Sequence, residues 1–564
     1  MRLDKFFVET LAQIYFAFLS LYNVRGVYIE QVKLETNKSI TIIGRKLFTI
    51  YENKPYATFS DIPYAKVPVQ ERRFKPPEGP KKLMPLVTYD FSNELLHTCD
   101  YGSSENCLNL VVYMPLSINE RTSFPVVVWI YENFKDHEPD FLIEEDILVV
   151  AVSFRMSILG FLNTEDEFSK GNMGAKDVVM ALRWIRNNID LFKGNFNKVT
   201  VIGSGVGADI VASFLVSNAA EDLFNRVVIQ SGSAISPKVY RKYNFKIINK
   251  LYWKLNGHFE KLNREMLYEF LSTASVNNLV LLSRNLVDST EIRDNQRPIN
   301  AFGCTIETTK RDSFMFKHPI EIYKRKLANY NVDVMFGFSN FESLFKLKDF
   351  INNRNLLRYL NHNFQYLLPF HGRSDEFNSK RYKRIQRNIM NFYFINGTIS
   401  ERSLKRYVKY HSDQVIYPLL QQARLHSEGS SGNVYLYRFS YNGSFNVKWK
   451  YLITKLSWSG ATSGDEICYQ FKCKSFKDMY NSKHTLKEKL FIKKLMKLLV
   501  NFVKYGNPTP KNTDNVLGSL KWELFNETLK VLNFGRTIKM ITLPEEKRMR
   551  FWDKLKCDFF DNDL

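Results

Sequence analysis

Two stretches, "FPVVVWIY" at 124–131 and "DILVVAVSF" at 146–154, are apolar at nearly every position. A strand with one face in water alternates apolar and polar residues. A strand apolar on both sides needs cover on both sides. "KVTVIG" at 198–203 and "NRVVIQSG" at 225–232 read the same way. Between and around them stand "GAKDVVMALRWIRNNIDLF" and "ADIVASFLVSNAA", with apolar residues at helical spacing. Strand–helix alternation of this kind predicts an α/β fold with a large, mostly parallel sheet and helices on both faces.

Further strands are expected at "TIIGRKLFTI", "LNLVVYMP", "NVDVMFGFS", "GNVYLYRFS" and "TLKVLNFG". Residues 236–330 read as helix-rich and irregular. "LKEKLFIKKLMKLLVNFVKYGNP" reads as an amphipathic helix, stopped by Gly506 and Pro508. No repeat or Pro/Gly/Ser-rich linker divides the chain, so one continuous large domain with helical insertions is expected. Residues 1–27 carry an apolar stretch too short for a comfortable membrane span. They read either as a cleaved signal or as a helix lying on a membrane or on the protein body. Residues 557–564 are a tail.

The formal charge of +22 is spread through the second half rather than gathered in one module. Nucleic acid is therefore not the expected partner. The densest run, "SKRYKRIQRN" at 379–388, reads as a solvated helix face. Six cysteines are too few for a disulfide framework in a chain of 564 residues. Cys99 and Cys107 could bridge a short loop. Cys468 and Cys473 lack a second cysteine or histidine pair at zinc spacing, so no metal is expected.

The loop "GSGVGA" at 203–208 has two readings. As G-x-G-x-x-A it suggests a dinucleotide-binding turn. As G-x-S-x-G it is a nucleophile elbow with Gly205 in place of the serine. The first reading needs an acidic residue at the end of the next strand, which instead ends in Gln230 and Ser231. No cofactor is expected.

The surroundings favour the second reading. "FSDIPYAKVPVQERRFKPPEGP", "SSENCLNLVVYMP", "GNMGAKDVVMALRWIRNNIDLFKGNFNKVTVIG", "LFNRVVIQSGSAISP" and "ATSGDEICYQF" follow one another in the order of a known family. From about 28 to 556 the chain resembles the type-B carboxylesterases and cholinesterases, and is most similar to their insect α-esterase branch. The resemblance implies an α/β-hydrolase fold and ester hydrolysis by a serine, a histidine, a carboxylate and backbone oxyanion donors. It also implies where these groups should stand. The family's elbow is G-E-S-A-G, so Gly205 occupies the nucleophile position, Ser204 the glutamate position and Val206 that of the following oxyanion donor. The family's H-G-D-E becomes Ser463-Gly464-Asp465-Glu466, with serine for histidine. Glu342, in "GFSNFESLF", matches the acid. Where the family has H-G-G-G-F, this chain has Tyr131-Glu132-Asn133-Phe134. Glu132 would bring a negative charge to the place where an oxyanion must develop.

Ser204 is one residue off the tip and is expected to be satisfied by nearby backbone. Glu342 is expected to pair with Ser463. Arg155, Gly171, Asn172, Gly174 and Asp177 match the family's structural positions. The expectation is thus a catalytically inactive family member that binds a hydrophobic small molecule or a protein partner. The alternative is an active or residual carboxylic ester hydrolase. The resemblance favours a cytoplasmic location or one peripheral to endomembranes, and secretion if residues 1–27 are a cleaved signal.

Overall fold

In the computed structural model, residues 30–560 are described, apart from short stretches at 94–95, 100–103, 117–122, 239–244, 257–263 and 447–455 and the single positions 37, 285, 330, 349, 351–352, 354, 457 and 527. Residues 1–27, expected as a signal or a helix, and the last part of the expected tail, 561–564, lie outside the described residues, whereas 557–560 are not a tail but the end of the helix Glu546–Phe560, held by the buried Phe560.

Thirteen strands form one sheet. In chain order they are β1 (Gln31–Glu35), β2 (Thr41–Phe48), β3 (Pro55–Pro63), β4 (Thr88–Asp90), β5 (Asn109–Pro115), β6 (Phe124–Ile130), β8 (Leu148–Val152), β9 (Gly194–Ser204), β10 (Arg226–Gln230), β11 (Asp333–Ser339), β12 (Val434–Phe439), β14 (Lys530–Phe534) and β15 (Ile538–Thr542). A separate antiparallel pair joins β7 (His137–Glu138) to β13 (Lys472–Cys473).

The sheet order is β1-β2-β3-β5-β8-β6-β9-β10-β11-β12-β14-β15, with β4 beside β2. From β8 to β14 every neighbouring pair is parallel. The doubly apolar runs make this parallel centre: all five residues of β8 are buried, and so are six of the seven in β6. Two large apolar clusters cover the two faces. One contains Val126, Val128 and Ile130, and the other contains Val127 and Trp129, so the side chains of β6 alternate between them.

The helix Met173–Asn188 packs on the first face and Leu486–Tyr505 on the second, the latter ending at Gly506 with φ 72°. That left-handed end is where glycine stops a helix at least cost. The helix Lys380–Tyr393 buries Tyr382, Ile385, Ile389 and Tyr393 and leaves Lys380, Lys383, Arg384 and Arg387 exposed, while Arg381 pairs with Asp375. Among the described residues, no helix is long and apolar enough to cross a membrane.

The matched structural positions are buried and tied down. Arg155 is 2% exposed and forms a two-pronged pair with Asp177, at 2.6 and 2.8 Å. It also donates to the carbonyls of Arg73 and Lys75. Asn172 holds the start of the Met173 helix in the left-handed region, at φ 63°, and its side chain donates to Thr305 and Glu307.

The structure closes the Cys99–Cys107 loop that the sequence left open and adds a bond it did not suggest. Cys468 is disulfide-bonded to Cys473, and Cys99 to Cys107. Spacing alone could not decide either bond, because pairing depends on how the backbone brings the two Cβ atoms together.

Candidate active site

The candidate site lies where the sheet changes direction. β6 is flanked by β8 on one side and β9 on the other, so the chain winds both ways from this point. In such sheets ligands bind beyond the carboxyl ends of the strands at the switch. Register then fixes which residues meet. Ile130 of β6 pairs with Gly203 of β9. Two residues further along each chain stand Glu132 and Gly205.

Gly205 has φ 59° and ψ −126° and joins β9 to the helix Val206–Phe214. This is a sharp elbow in a conformation strained for any side chain. A Cβ at this position would collide with the carboxylate of Glu132. Glu132 Oε2 accepts the Val206 N–H at 3.1 Å. The carboxylate thus caps the first turn of a helix, where exposed amides and the helix dipole both favour an anion. Gly207 is needed for a different reason: a Cβ there would run into the Ile130 carbonyl, so its lack of a side chain lets the helix approach β6.

Ser204 is buried at 1% exposure and points away from the tip into the sheet. Its hydroxyl donates to Gln230 Oε1 at 2.5 Å and accepts from Trp129 Nε1 at 3.3 Å. Its partners are side chains, not the nearby backbone that the sequence suggested. Gln230 continues the network to Tyr437 and Gln470. Buried polar groups are normally paired in this way, and here the pairing holds the hydroxyl inside the sheet.

Glu342 is 2% exposed. Its Oε1 accepts from Ser231 Oγ and the Ser339 N–H, both at 2.6 Å. The loop carrying Ser463 is laid beside it by hydrogen bonds from Phe341 N–H to Ala461 O and from Ala461 N–H to Asn340 Oδ1. Ser463 is close enough to help hold the carboxyl's pKa down, but Glu342 Oε2 has no well-formed hydrogen bond. Ser231 is thus the stronger partner, and the expected contact with Ser463 is a weaker one. Burial outweighs these contacts and pushes the Glu342 pKa up.

Glu466 is a second buried carboxyl nearby, pushed up to about 8 by burial and then by the charge of Glu342. Both side chains reach Ser339, whose hydroxyl lies 3.4 Å from Glu466 Oε2. A carboxyl whose pKa is higher folded than unfolded stabilises the fold fully below the unfolded value, and loses that contribution as pH rises through the folded value. Wild-type thermal stability should therefore fall between about pH 4.5 and 8 for this group. Glu466→Gln should flatten that fall and melt higher than wild type at pH 8. Melting curves of both proteins at pH 5 and pH 8 check this; equal slopes would refute it.

On the other flank, Tyr131 is 5% exposed and stacks on Trp129, which stacks in turn on Phe471 with ring centres 3.7 Å apart. Burial and the Glu132 charge push the Tyr131 pKa up, so the phenol stays protonated. Asn133 closes the turn by accepting from His137 Nδ1 at 2.9 Å on its carbonyl. A cavity of ≈ 660 Å³ opens against Val206. It is lined by apolar side chains such as Ile210, Ile292 and Phe302, with Asp209, Lys238 and Arg284 as its charges. Asp209 and Lys238 pair with each other at 3.2 Å.

The sequence marked Gln230 and Ser231 only as a strand end lacking an acid and Glu466 only as part of the altered histidine loop, and gave neither them nor Gln470 a place in the site. The first two stand at the carboxyl end of the strand after the elbow, and that position alone could have marked them.

The fold agrees with comparisons to known proteins. The model of the carboxylesterase family matches residues 30–552. Esterase FE4 of Myzus persicae is 27% identical over 521 residues, covering 88% of this chain and 87% of that protein. Juvenile hormone esterase of Tribolium castaneum is 25% identical over 518 residues, covering 84% and 83%. The crystal structure of juvenile hormone esterase from Manduca sexta, with OTFP covalently attached, superposes with a TM-score of 0.74 at 22% identity, over 94% of this chain and 100% of that one. The chain belongs to the carboxylesterase family and has its α/β-hydrolase fold, and insect esterases are among its relatives.

Proposed function

We infer that this chain is a carboxylesterase-family protein that binds ligand without turning it over. The observation that supports this most is the position of Glu132. Its carboxylate sits where a side chain on residue 205 would begin and accepts the Val206 N–H. Ester hydrolysis needs a nucleophile at the first place and a free donor at the second. Here one side chain takes both, and Gly205 supplies no nucleophile. Ser463 cannot replace a histidine base, because a serine hydroxyl does not accept a proton near neutral pH.

The ligand this reading favours is a small, largely apolar molecule held in the cavity beside Val206. The other reading, a working ester hydrolase, draws on the activity named for the relatives. Purified protein with a p-nitrophenyl acetate substrate decides between them. The expected result is no turnover above the spontaneous rate. Hydrolysis that follows the purified chain and is abolished by Ser204→Ala or Glu342→Gln would overturn the inactive reading.

A further inference from the structure

Behind the candidate site, His137 stands directly opposite Cys473 in the β7–β13 ladder, and Cys468 is bonded to Cys473. The ligating atoms of these three residues all lie within 4.8 Å of one another. We propose that reduction of the Cys468–Cys473 disulfide uncovers a binding site for a zinc-type divalent cation, with Cys468, Cys473 and His137 as its protein ligands.

Three features prepare the site. The first is ligand chemistry. Two thiolates and an imidazole suit zinc, the cysteines have C-x4-C spacing, and three protein ligands leave the fourth tetrahedral position to water. The second is the histidine tautomer. His137 Nδ1 faces the Asn133 carbonyl at 2.9 Å, and a carbonyl only accepts, so the proton is on Nδ1. The lone pair is then on Nε2, and a ligating histidine is commonly oriented by this kind of bond from its other nitrogen. The Trp129 and Tyr131 rings stand edge-on to the imidazole at 5.7 and 5.6 Å and fix its plane.

The third feature keeps the two cysteines in place without their covalent bond. The Tyr480 hydroxyl accepts from Cys473 N–H at 3.1 Å and donates to Cys468 O at 2.7 Å. Lys472, next to Cys473 in β13, bridges Glu138 at 2.5 Å and Asp140 at 2.9 Å. Both cysteines are buried at 2% exposure or less. Reduction therefore releases two thiols into a framework already braced by other contacts.

The chemistry balances with a dithiol as reductant. The dithiol gives two electrons and two protons to the Cys468–Cys473 bond and leaves as its own disulfide. The cation then displaces both thiol protons to solvent, so binding weakens as pH falls.

Full-length protein is reduced with dithiothreitol, freed of it under argon and titrated with Co²⁺. The expected result is one equivalent bound with a thiolate-to-cobalt charge-transfer band in the near ultraviolet, displaced by Zn²⁺, and no such band from the oxidised protein. His137→Gln should weaken binding at least about tenfold. Cys304→Ala/Cys557→Ser, which removes the two cysteines outside the disulfides, should leave it unchanged. A second measurement needs no variant: Zn²⁺ should slow alkylation of Cys468 and Cys473, but not of Cys557, in the reduced wild-type chain. The proposal fails if the band is absent, if it survives Cys468→Ser/Cys473→Ser, or if zinc leaves the alkylation of both cysteines unchanged.

Discussion

Restoring the two missing side chains, with Gly205→Ser/Ser463→His, should leave the protein nearly inactive toward esters. The serine would take up the strained elbow, which is already formed at φ 59°. Its Cβ would displace the Glu132 carboxylate, and this carboxylate is the far end of a flexible chain and can swing aside. The negative charge would still remain beside the place where the tetrahedral oxyanion forms. It would also go on competing for the Val206 N–H. One oxyanion-hole donor is worth on the order of 10²–10³ in rate. Adding Glu132→Gly to the pair should therefore raise the rate by about that factor over the double variant. Glu132→Gln in its place, which keeps the bulk and removes the charge, should fall between. Single-turnover assays with p-nitrophenyl acetate measure all three. Strong activity in the double variant alone would mean that Glu132 does not block the site.

The second large effect is on stability. Arg155→Met should lower the unfolding free energy by about 3–5 kcal/mol, because it leaves the carboxylate of Asp177 buried without its partner. Asp177 is fully buried, and the Arg155 side chain also satisfies the Arg73 and Lys75 carbonyls. Arg155→Met/Asp177→Leu removes both charges and should recover much of the loss. Urea midpoints of the two variants against wild type give the comparison; equal losses in the single and double variants would contradict it.

The centre of the fold could be read from the sequence because burial on two faces leaves a plain mark. β6, β8, β9 and β10 are runs that no half-exposed strand would carry. The outer strands leave a weaker mark. β1, "QVKLE", alternates between exposed and half-buried residues, and β4 is three residues long. Both owe their place to the neighbouring β2 rather than to their own composition. β3 carries Ser60 and Asp61 amid its apolar residues and has a register shift after Phe59, which breaks the alternation that would announce it.

The candidate site divides in the same way. Gly205 and Ser463 can be read because a motif fixes their neighbours. The Glu132–Val206 contact cannot, since it follows from the Ile130–Gly203 register across two strands. The pairing of Glu342 with Ser231 depends likewise on β10 and β11 lying side by side. His137 lies more than 300 residues from the cysteines in the chain, so nothing near them in the sequence points to it. Its proximity comes from a two-residue ladder between distant segments, and no local pattern encodes such a ladder.

The bond from Glu132 to the Val206 amide also bears on what the site can be made to hold. A carboxylate tethered within reach of an amide acts as a built-in competitor, present at an effective concentration of about millimolar or above. Any outside anion or carbonyl oxygen that seeks that amide must first outbid it. Reagents that capture esterases through their oxyanion contacts should therefore pass this protein by. A ligand that enters the neighbouring cavity on apolar contacts alone meets no such rival.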